Sequence, residues 1–241
     1  LLRFNESHGR LDELLDGGQV SGKLNPRDRK LLRNLVSGVV RHRTLLDWHI
    51  DHYYAGKASK MLNKTRVLLR MAFYELIFLD YTPPRASVNE YAGIAGKRMG
   101  ERIKRLVNGM LRTYLRSSDE AEQELDKLDG VERLRVRYSF PEWLIRRWLG
   151  FWSSEEVEEL CRGLNERPVF DVRINENKIT VDSFREKLRE AGIVFVPSSR
   201  FRNMVTITDV QAFLAGGWLE QGYASVQDES AALPVLLMDI R

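Results

Sequence analysis

The sequence predicts a mainly α-helical bundle over the first half of the chain, followed by a small α+β subdomain. Apolar residues recur at helical spacing through most of residues 25–116, whereas short alternating strands separated by an amphipathic segment occupy residues 170–226. The charge balance changes between these parts. Residues 1–116 contain 22 Lys+Arg against 11 Asp+Glu, a net charge of +11, and residues 117–241 contain 16 against 23, a net charge of −7. We therefore predict two parts with different partners.

The helical part begins with a clear start signal. Asn25-Pro26-Arg27-Asp28 combines an N-cap residue, a proline at the first helical position and an acid at the third. A second helix opens at Asn63, and Pro83-Pro84 separates it from a third helix over 86–99. A fourth helix is predicted over 101–116, and the acidic residues 117–129 read as a helical connector.

A second unit is predicted to begin at Pro141, and we expect Trp143 and Trp148 to pack in its interior. The amphipathic segment 181–191 predicts a helix, and 211–215 a helical turn. Strands are predicted at 170–175, 194–196, 204–208 and 224–226. Their order around the helix favours a ferredoxin-like α+β unit.

Composition narrows the class of protein. The 241 residues, 43% of them hydrophobic, can bury a substantial core. No run of about 18 apolar residues and no cationic-then-apolar leader occurs, so we expect no membrane span and a cytoplasmic location. Cys161 is the only cysteine, which excludes an internal disulfide and fits a reducing compartment.

The basic residues of the first half are candidates for binding a polyanion. Offsets of three, seven, ten and fourteen residues return to nearly the same helix azimuth, so Arg102, Arg105, Arg112 and Arg116 form a row that can follow a phosphate backbone. The other candidates are Arg27, Arg29, Lys30, Arg33, Arg41, Arg43, Lys97 and Arg98. For any single arginine, the alternative is a solvated surface position that binds no ligand. An acidic membrane surface is the alternative anionic partner to nucleic acid. For the whole set we favour RNA.

Two glycines and two asparagines lie within predicted helices. Gly38 and Gly109 each cost about 1 kcal/mol relative to alanine there. We expect close helix crossing to require them, with direct contact between their backbone and RNA as the alternative. Asn89 and Asn108 are expected to make buried hydrogen bonds between helices rather than to read bases.

Several strings in the first half carry a family resemblance: 28–32, 35–41, Ser87-Val88-Asn89-Glu90 and 106–112. They resemble the NusB-like helical domain. That domain occurs in the antitermination factor NusB and at the front of RsmB/Sun-type bacterial 16S ribosomal RNA cytosine-C5 methyltransferases. The resemblance implies an RNA-binding module over residues 1–117, followed by a connector over 118–140.

The second half carries a resemblance to the same methyltransferases. Asn165-Glu166-Arg167-Pro168, Arg173-Ile174-Asn175 and 222–230 resemble their linker and pre-catalytic subdomain, which we expect over 141–225. The resemblance implies that 226–241 begin a Rossmann-like catalytic domain that is otherwise absent from this chain. It also implies that this domain is contacted through four residues: Gln227, Asp228, Glu229 and Ser230. We expect the apolar segment 233–237 to be part of the same severed interface.

The chemistry of such an enzyme is not expected in this chain. Methylation of cytosine carbon-5 needs a cysteine nucleophile and a bound S-adenosylmethionine. Cys161 lies in a helical context without the family's proline-cysteine setting, and no glycine-rich strand-turn-helix occurs. His49 and His52 lack a third metal ligand. We therefore expect no catalytic residue, metal or cofactor here, with S-adenosylmethionine bound by the parent enzyme.

Three functions remain open at this stage. The leading one is the RNA-recognition region of a small-subunit ribosomal RNA methyltransferase, with ribosomal RNA and its own catalytic domain as partners and neither membrane nor DNA expected. The second is an antitermination or ribosome-assembly factor that binds RNA without catalysis. The third is a scaffold whose basic front meets an acidic protein.

Overall fold

A computed structural model describes Leu11, Leu15 and residues 24–80 and 82–238, except the side chains of Ala58, Val235 and Leu236. The chain divides into two compact units, Leu1–Asn165 and Glu166–Arg241. Within the described part, no helix has the length and apolarity needed to cross a bilayer.

In its described residues, the first unit is built of helices and contains no strand. Asn25 caps the first helix, since its Oδ1 accepts a 2.8 Å hydrogen bond from the Asp28 backbone, and Pro26 occupies the first turn. This start is the one the sequence predicts. The helices are α1 Pro26–Arg41, α2 Arg43–Tyr53, α3 Asn63–Phe78, α4 Pro84–Met99, α5 Glu101–Asp126, α6 Gly130–Tyr138, α7 Glu142–Leu149 and α8 Ser154–Asn165, with a 3₁₀ turn at Ala58–Lys60.

Helices α4 and α5 form a hairpin joined at Gly100, whose φ of 91° is accessible to glycine at little cost. The sequence predicts that α5 ends at Arg116, but the helix continues to Asp126 across a kink at Ser117. There the Tyr53 hydroxyl donates a 3.0 Å hydrogen bond to the Ser117 carbonyl. That bond draws the carbonyl away from the helix ladder, which accounts for the bend.

The core of the bundle is formed by buried residues of helices α1 to α5. Its largest fully buried side chains include Leu46, Ile50, Leu69, Phe73 and Leu111. Gly38 on α1 lies against Tyr74 on α3, where an added Cβ would fall 1.9 Å from the ring Cζ. The expectation that close helix crossing requires Gly38 is therefore confirmed.

Helices α6 to α8 enclose a separate small cluster, formed by Leu134, Ile145, Val157 and Cys161. Trp148 packs against Phe140 at this cluster, with ring centroids 5.5 Å apart. Trp143 is 64% exposed, so the expectation that it packs in the interior is wrong. By packing, α7 and α8 belong to the first compact unit, and the second begins at Glu166.

The second unit has the order β1 Phe170–Ile174, α9 Val181–Glu190, β2 Phe195–Pro197, β3 Met204–Ile207, α10 Val210–Ala215 and β4 Ala224–Val226. The strands form one antiparallel sheet in the order β2-β3-β1-β4. This βαββαβ arrangement is the ferredoxin-like topology that the sequence predicts. Alternate strand residues, among them Val172, Ile174, Val205 and Ile207, face the buried side chains of the two helices.

A final helix, α11 Glu229–Leu237, follows the sheet. Ala232 packs on Phe201 and Met204 of the second unit, whereas Leu237 is 84% exposed. Among the described side chains of this helix, Ala232 is buried in the unit, whereas Leu233 and Leu237 are exposed.

Candidate nucleic-acid interface

Helix α5 has one buried side and one basic side. Val107, Met110 and Leu111 are buried in the bundle core. The arginine row, Arg102, Arg105, Arg112 and Arg116, is exposed. The helix period that buries the apolar residues thus turns all four guanidinium groups to solvent, as the spacing predicts.

The row differs in its charge partners from paired arginines of the first unit such as Arg70 and Arg133. Among the described residues, no carboxylate lies within ion-pair distance of Arg102, Arg105 or Arg112. By contrast, Arg70 makes a bidentate pair with Asp47 at 2.8 and 2.7 Å, and Arg133 makes one with Glu158 at 3.0 and 2.8 Å. Those pairs hold helices together. The row keeps its hydrogen-bond donors available for an external anion.

Two members of the row border a cleft of about 860 Å³ between α4 and α5, which we call the arginine cleft. It is lined by Pro83, Pro84, Arg85, Val88, Asn89, Arg112, Leu115 and Arg116. Three of these residues are arginines. Arg85 is not among the candidates predicted from the sequence, because only the α4–α5 hairpin brings it to Arg112 and Arg116.

Asn89 is exposed in this cleft and forms no hydrogen bond to another described residue. The expectation that it makes a buried hydrogen bond between helices is wrong. The helix is held instead by Glu75 of α3, whose carboxylate accepts hydrogen bonds from Ser87 at 2.6 Å and Tyr91 at 2.9 Å. These bonds lie on the inner side of α4. They leave Arg85 and Asn89 on the outer side.

Gly109 lies on the exposed side of α5, in the gap of the arginine row between Arg105 and Arg112. In the described part of the chain, no heavy atom lies within 4 Å of where its Cβ would be. The expectation that close helix crossing requires this glycine is therefore wrong.

The remaining basic candidates do not join this cleft. Arg27, Arg29 and Lys30 are exposed on the first turns of α1, and Arg33 is half-buried. Some of the others have partners in the first unit. Arg41 donates to the Asn165 carbonyl at 3.1 Å, and Arg43 lies 3.9 Å from Asp47.

Lys97 and Arg98 are exposed in the last turn of α4, where cations also favour the helix dipole. Arg102 borders a different, smaller cleft together with Lys60. The row therefore extends from the arginine cleft along α5 toward the hairpin turn.

Cys161 and His49 are of residue types that often act in catalysis, but both side chains are buried in the fold. Burial raises the pKa of the Cys161 thiol to about 11, with a smaller contribution from Glu158, so the nucleophilic thiolate is suppressed. Burial lowers the pKa of His49 to about 4, and nearby His52 and Arg137 add to this. Among the described residues, no group of three His, Cys, Asp or Glu side chains could hold a metal.

The second unit contains a polar groove of about 490 Å³ lined in part by Arg173, Asn175 and Gln227. The Gln227 backbone donates to the Asp171 carbonyl, extending the sheet past β4. Asp228 accepts a 2.7 Å hydrogen bond from the Ser230 backbone at the start of α11, and the bonds from Ser230 lower the pKa of its carboxyl. Glu229 is half-buried and Ser230 is exposed.

The architecture is that of a basic helical domain followed by a ferredoxin-like subdomain. Comparison with known families gives the same two parts. Residues 4–116 match the NusB family, and residues 140–212 match the ferredoxin-like domain of the RsmF/B-like methyltransferases.

Curated relatives match across both domains. The chain is 29% identical to the probable ribosomal RNA small subunit methyltransferase B of Synechocystis, over 95% of this chain and 51% of the relative. It is 27% identical to the probable enzyme of the same name from Bacillus subtilis, over 99% and 53%. For ribosomal RNA small subunit methyltransferase B of Escherichia coli the identity is 29%, over 87% and 47%. The chain spans about half the length of these relatives.

The fold also occurs in a solved structure. The crystal structure of PH0851 superposes with a TM-score of 0.55 at 20% sequence identity. The match covers 91% of this chain and 48% of that one. At this identity the likeness supports the fold alone.

Proposed function

We propose that this chain is the RNA-recognition region of an S-adenosylmethionine-dependent methyltransferase that modifies a cytosine carbon-5 of small-subunit ribosomal RNA. The observation that carries the proposal is the arginine row of α5, which is exposed and has no carboxylate partner among the described residues, within a domain that matches the NusB family. Guanidinium groups at helical spacing position an RNA backbone without reading its sequence. Base selection and chemistry then belong to a catalytic domain.

An antitermination or assembly factor without catalysis is the second candidate. A NusB family domain alone is compatible with it. The ferredoxin-like unit favours the methyltransferase, because residues 140–212 match the corresponding domain of RsmF/B-like enzymes. The same unit argues against a scaffold for acidic proteins.

Reversing charge on the arginine row tests the RNA-binding proposal. The variant Arg102→Glu/Arg105→Glu/Arg112→Glu is titrated against transcribed 16S ribosomal RNA in a filter-binding assay. We expect a loss of affinity of about 100-fold or more, since three phosphate contacts become repulsive. A control with the same charge change, Lys187→Glu/Arg189→Glu/Arg200→Glu, lies on exposed positions of the second unit. Equal affinity of the row variant and the parent, with unchanged helical circular dichroism, would contradict the proposal.

We propose that the methyl donor is bound by a domain beyond residue 241. The support lies in the buried thiol of Cys161 and in the absence, among the described residues, of a glycine-rich turn that leads from a strand into a helix and could hold the donor. Gly93 and Gly96 lie inside α4. Calorimetry with S-adenosylmethionine tests this: we expect no heat of binding to this chain, and a one-to-one complex would contradict it.

We assign contact with that domain to Gln227, Asp228, Glu229, Ser230 and the apolar surface of α11. Leu233 and Leu237 are exposed there, which is unusual for large apolar side chains on one short helix. Amide hydrogen exchange across 233–237 in this chain and in a longer one that includes the catalytic domain tests the assignment. We expect much slower exchange in the longer chain. Equal, strong protection in both would contradict it.

A further inference from the structure

Helix α5 contains a glycine that packing among the described residues does not explain. Gly109 lies in the middle of the helix, where glycine costs about 1 kcal/mol relative to alanine. The position is exposed, its helical backbone needs no positive φ, and a methyl group would meet no heavy atom of the described residues within 4 Å. Alanine would therefore fit and stabilise the helix.

Two other helical glycines, Gly38 and Gly96, show what an internal cause looks like. At Gly38 an added Cβ would overlap the Tyr74 ring, and at Gly96 it would fall 2.9 Å from the Lys104 side chain. Gly163 has an open environment like that of Gly109, but it lies in the last turn of α8, where helices tolerate glycine. Gly109 has neither explanation.

The neighbours of Gly109 on the exposed face are cations. Arg105 precedes it by one helical turn and Arg112 follows it by just under one turn, about 10.5 Å apart along the axis. Neither has a carboxylate partner among the described residues. An RNA strand bound by both guanidinium groups would pass directly over Gly109, where the helix carries no side chain.

Helix α4 continues this low surface on its own side. Gly96 faces Lys104 near the hairpin turn, and Asn89 shares the arginine cleft with Arg112 further along. At Gly93 of α4, too, an added Cβ would meet no heavy atom of the described residues within 4 Å.

We propose that Gly109 is a seat for one phosphodiester of the RNA strand, which contacts the bare helix backbone between Arg105 and Arg112. The inference rests on the proposed function and goes further, since it fixes where the strand crosses α5 and how closely. A Cβ at this position would lift the strand and lengthen the hydrogen bonds to both arginines. The position then requires glycine because close contact with the strand leaves no room for a side chain, although glycine destabilises the helix.

The test is Gly109→Ala, with Gly163→Ala as the matched control on another exposed helical position. Urea unfolding and binding to transcribed 16S ribosomal RNA are measured for both. We expect Gly109→Ala to unfold at a higher urea concentration than the parent and yet to bind RNA about five- to ten-fold more weakly. Gly163→Ala is expected to bind as the parent does.

The outcomes separate this inference from the proposed function. Parental affinity in Gly109→Ala, with weakened binding in the Arg102/Arg105/Arg112 charge reversal, overturns the seat and leaves RNA recognition standing. Parental affinity in both variants overturns the proposed function as well. Destabilisation by Gly109→Ala would show that the glycine serves internal packing, and it would also overturn the seat.

Discussion

Tyr74 lies so close to Gly38 that its ring occupies the space of a side chain at that position, with Cζ 1.9 Å from an ideal Cβ. The contact joins α1 to α3 at the centre of the bundle. We expect Gly38→Ala to lower the free energy of unfolding by about 1–3 kcal/mol, because the ring must move within a packed core. Urea unfolding followed by circular dichroism measures this. An unfolding midpoint equal to the parent's would contradict the close approach.

The ion pairs around Asp47 are expected to stabilise the bundle. This carboxylate accepts hydrogen bonds from buried Arg70 at 2.8 and 2.7 Å and from Arg66 at 3.1 Å. Asp47→Ala leaves a buried guanidinium without its partner, so we expect a loss of about 3 kcal/mol. Glu186→Ala, which removes an exposed partner of Arg189, is the control and is expected to change stability by less than about 1 kcal/mol. Similar small effects of both substitutions would show that the Asp47 pairs contribute little.

Buried His49 and half-buried His42 give the first unit a pH dependence. Burial lowers the pKa of His49 to about 4, and burial with the neighbouring Arg41 does the same for His42. Glu122 lies 4.0 Å from His49 Nε2, too far for a hydrogen bond, and it bonds to Arg137 instead. In the unfolded chain each histidine has a pKa near 6.5.

The folded-state pKa is the lower one, so the unfolded chain binds more protons between pH 6.5 and 4. Stability therefore falls as pH is lowered through this window, by about 1–2 kcal/mol per histidine between pH 7 and 5. Above pH 6.5 both states are neutral and the contribution vanishes. His49→Phe is expected to flatten the profile, which urea unfolding at several pH values measures. An unchanged slope in the variant would contradict the assignment.

The thiol of Cys161 is expected to react slowly with alkylating reagents in the native protein. Its side chain is fully buried in the α6 to α8 cluster, and burial raises its pKa to about 11. At pH 7.5 we expect maleimide labelling of the native protein to be at least about 100-fold slower than labelling in urea, since little thiolate forms and access requires opening. Labelling rates followed by mass spectrometry give the ratio. Comparable rates in both conditions would mean that the thiol is accessible and activated.

Most of the secondary structure could be predicted from local sequence patterns. The cap at Asn25, the Pro83-Pro84 break and the alternation at 170–175 predict helix and strand positions that the fold confirms. The ferredoxin-like order of strands follows from the same signals. These features depend on neighbours in sequence, so a single chain reveals them.

The errors concern burial, which depends on tertiary contacts. Asn89, Gly109 and Trp143 were each expected to face the interior, and each is exposed. Helix spacing shows which residues share a face but not which residues an adjoining helix covers. Arg85 was missed for the same reason, since only the α4–α5 hairpin brings it to Arg112 and Arg116.

The salt dependence of RNA binding tests the central claim most directly. Each phosphate contact contributes about 0.7 to 0.9 to the slope of log K against log salt concentration. For Arg105→Ala/Arg112→Ala we expect the slope against potassium chloride to be smaller in magnitude than the parent's by about 1.4 to 1.8, since two phosphate contacts are lost. A double variant whose binding to 16S ribosomal RNA keeps the parent's slope and affinity would contradict the claim that the arginine row holds the RNA backbone.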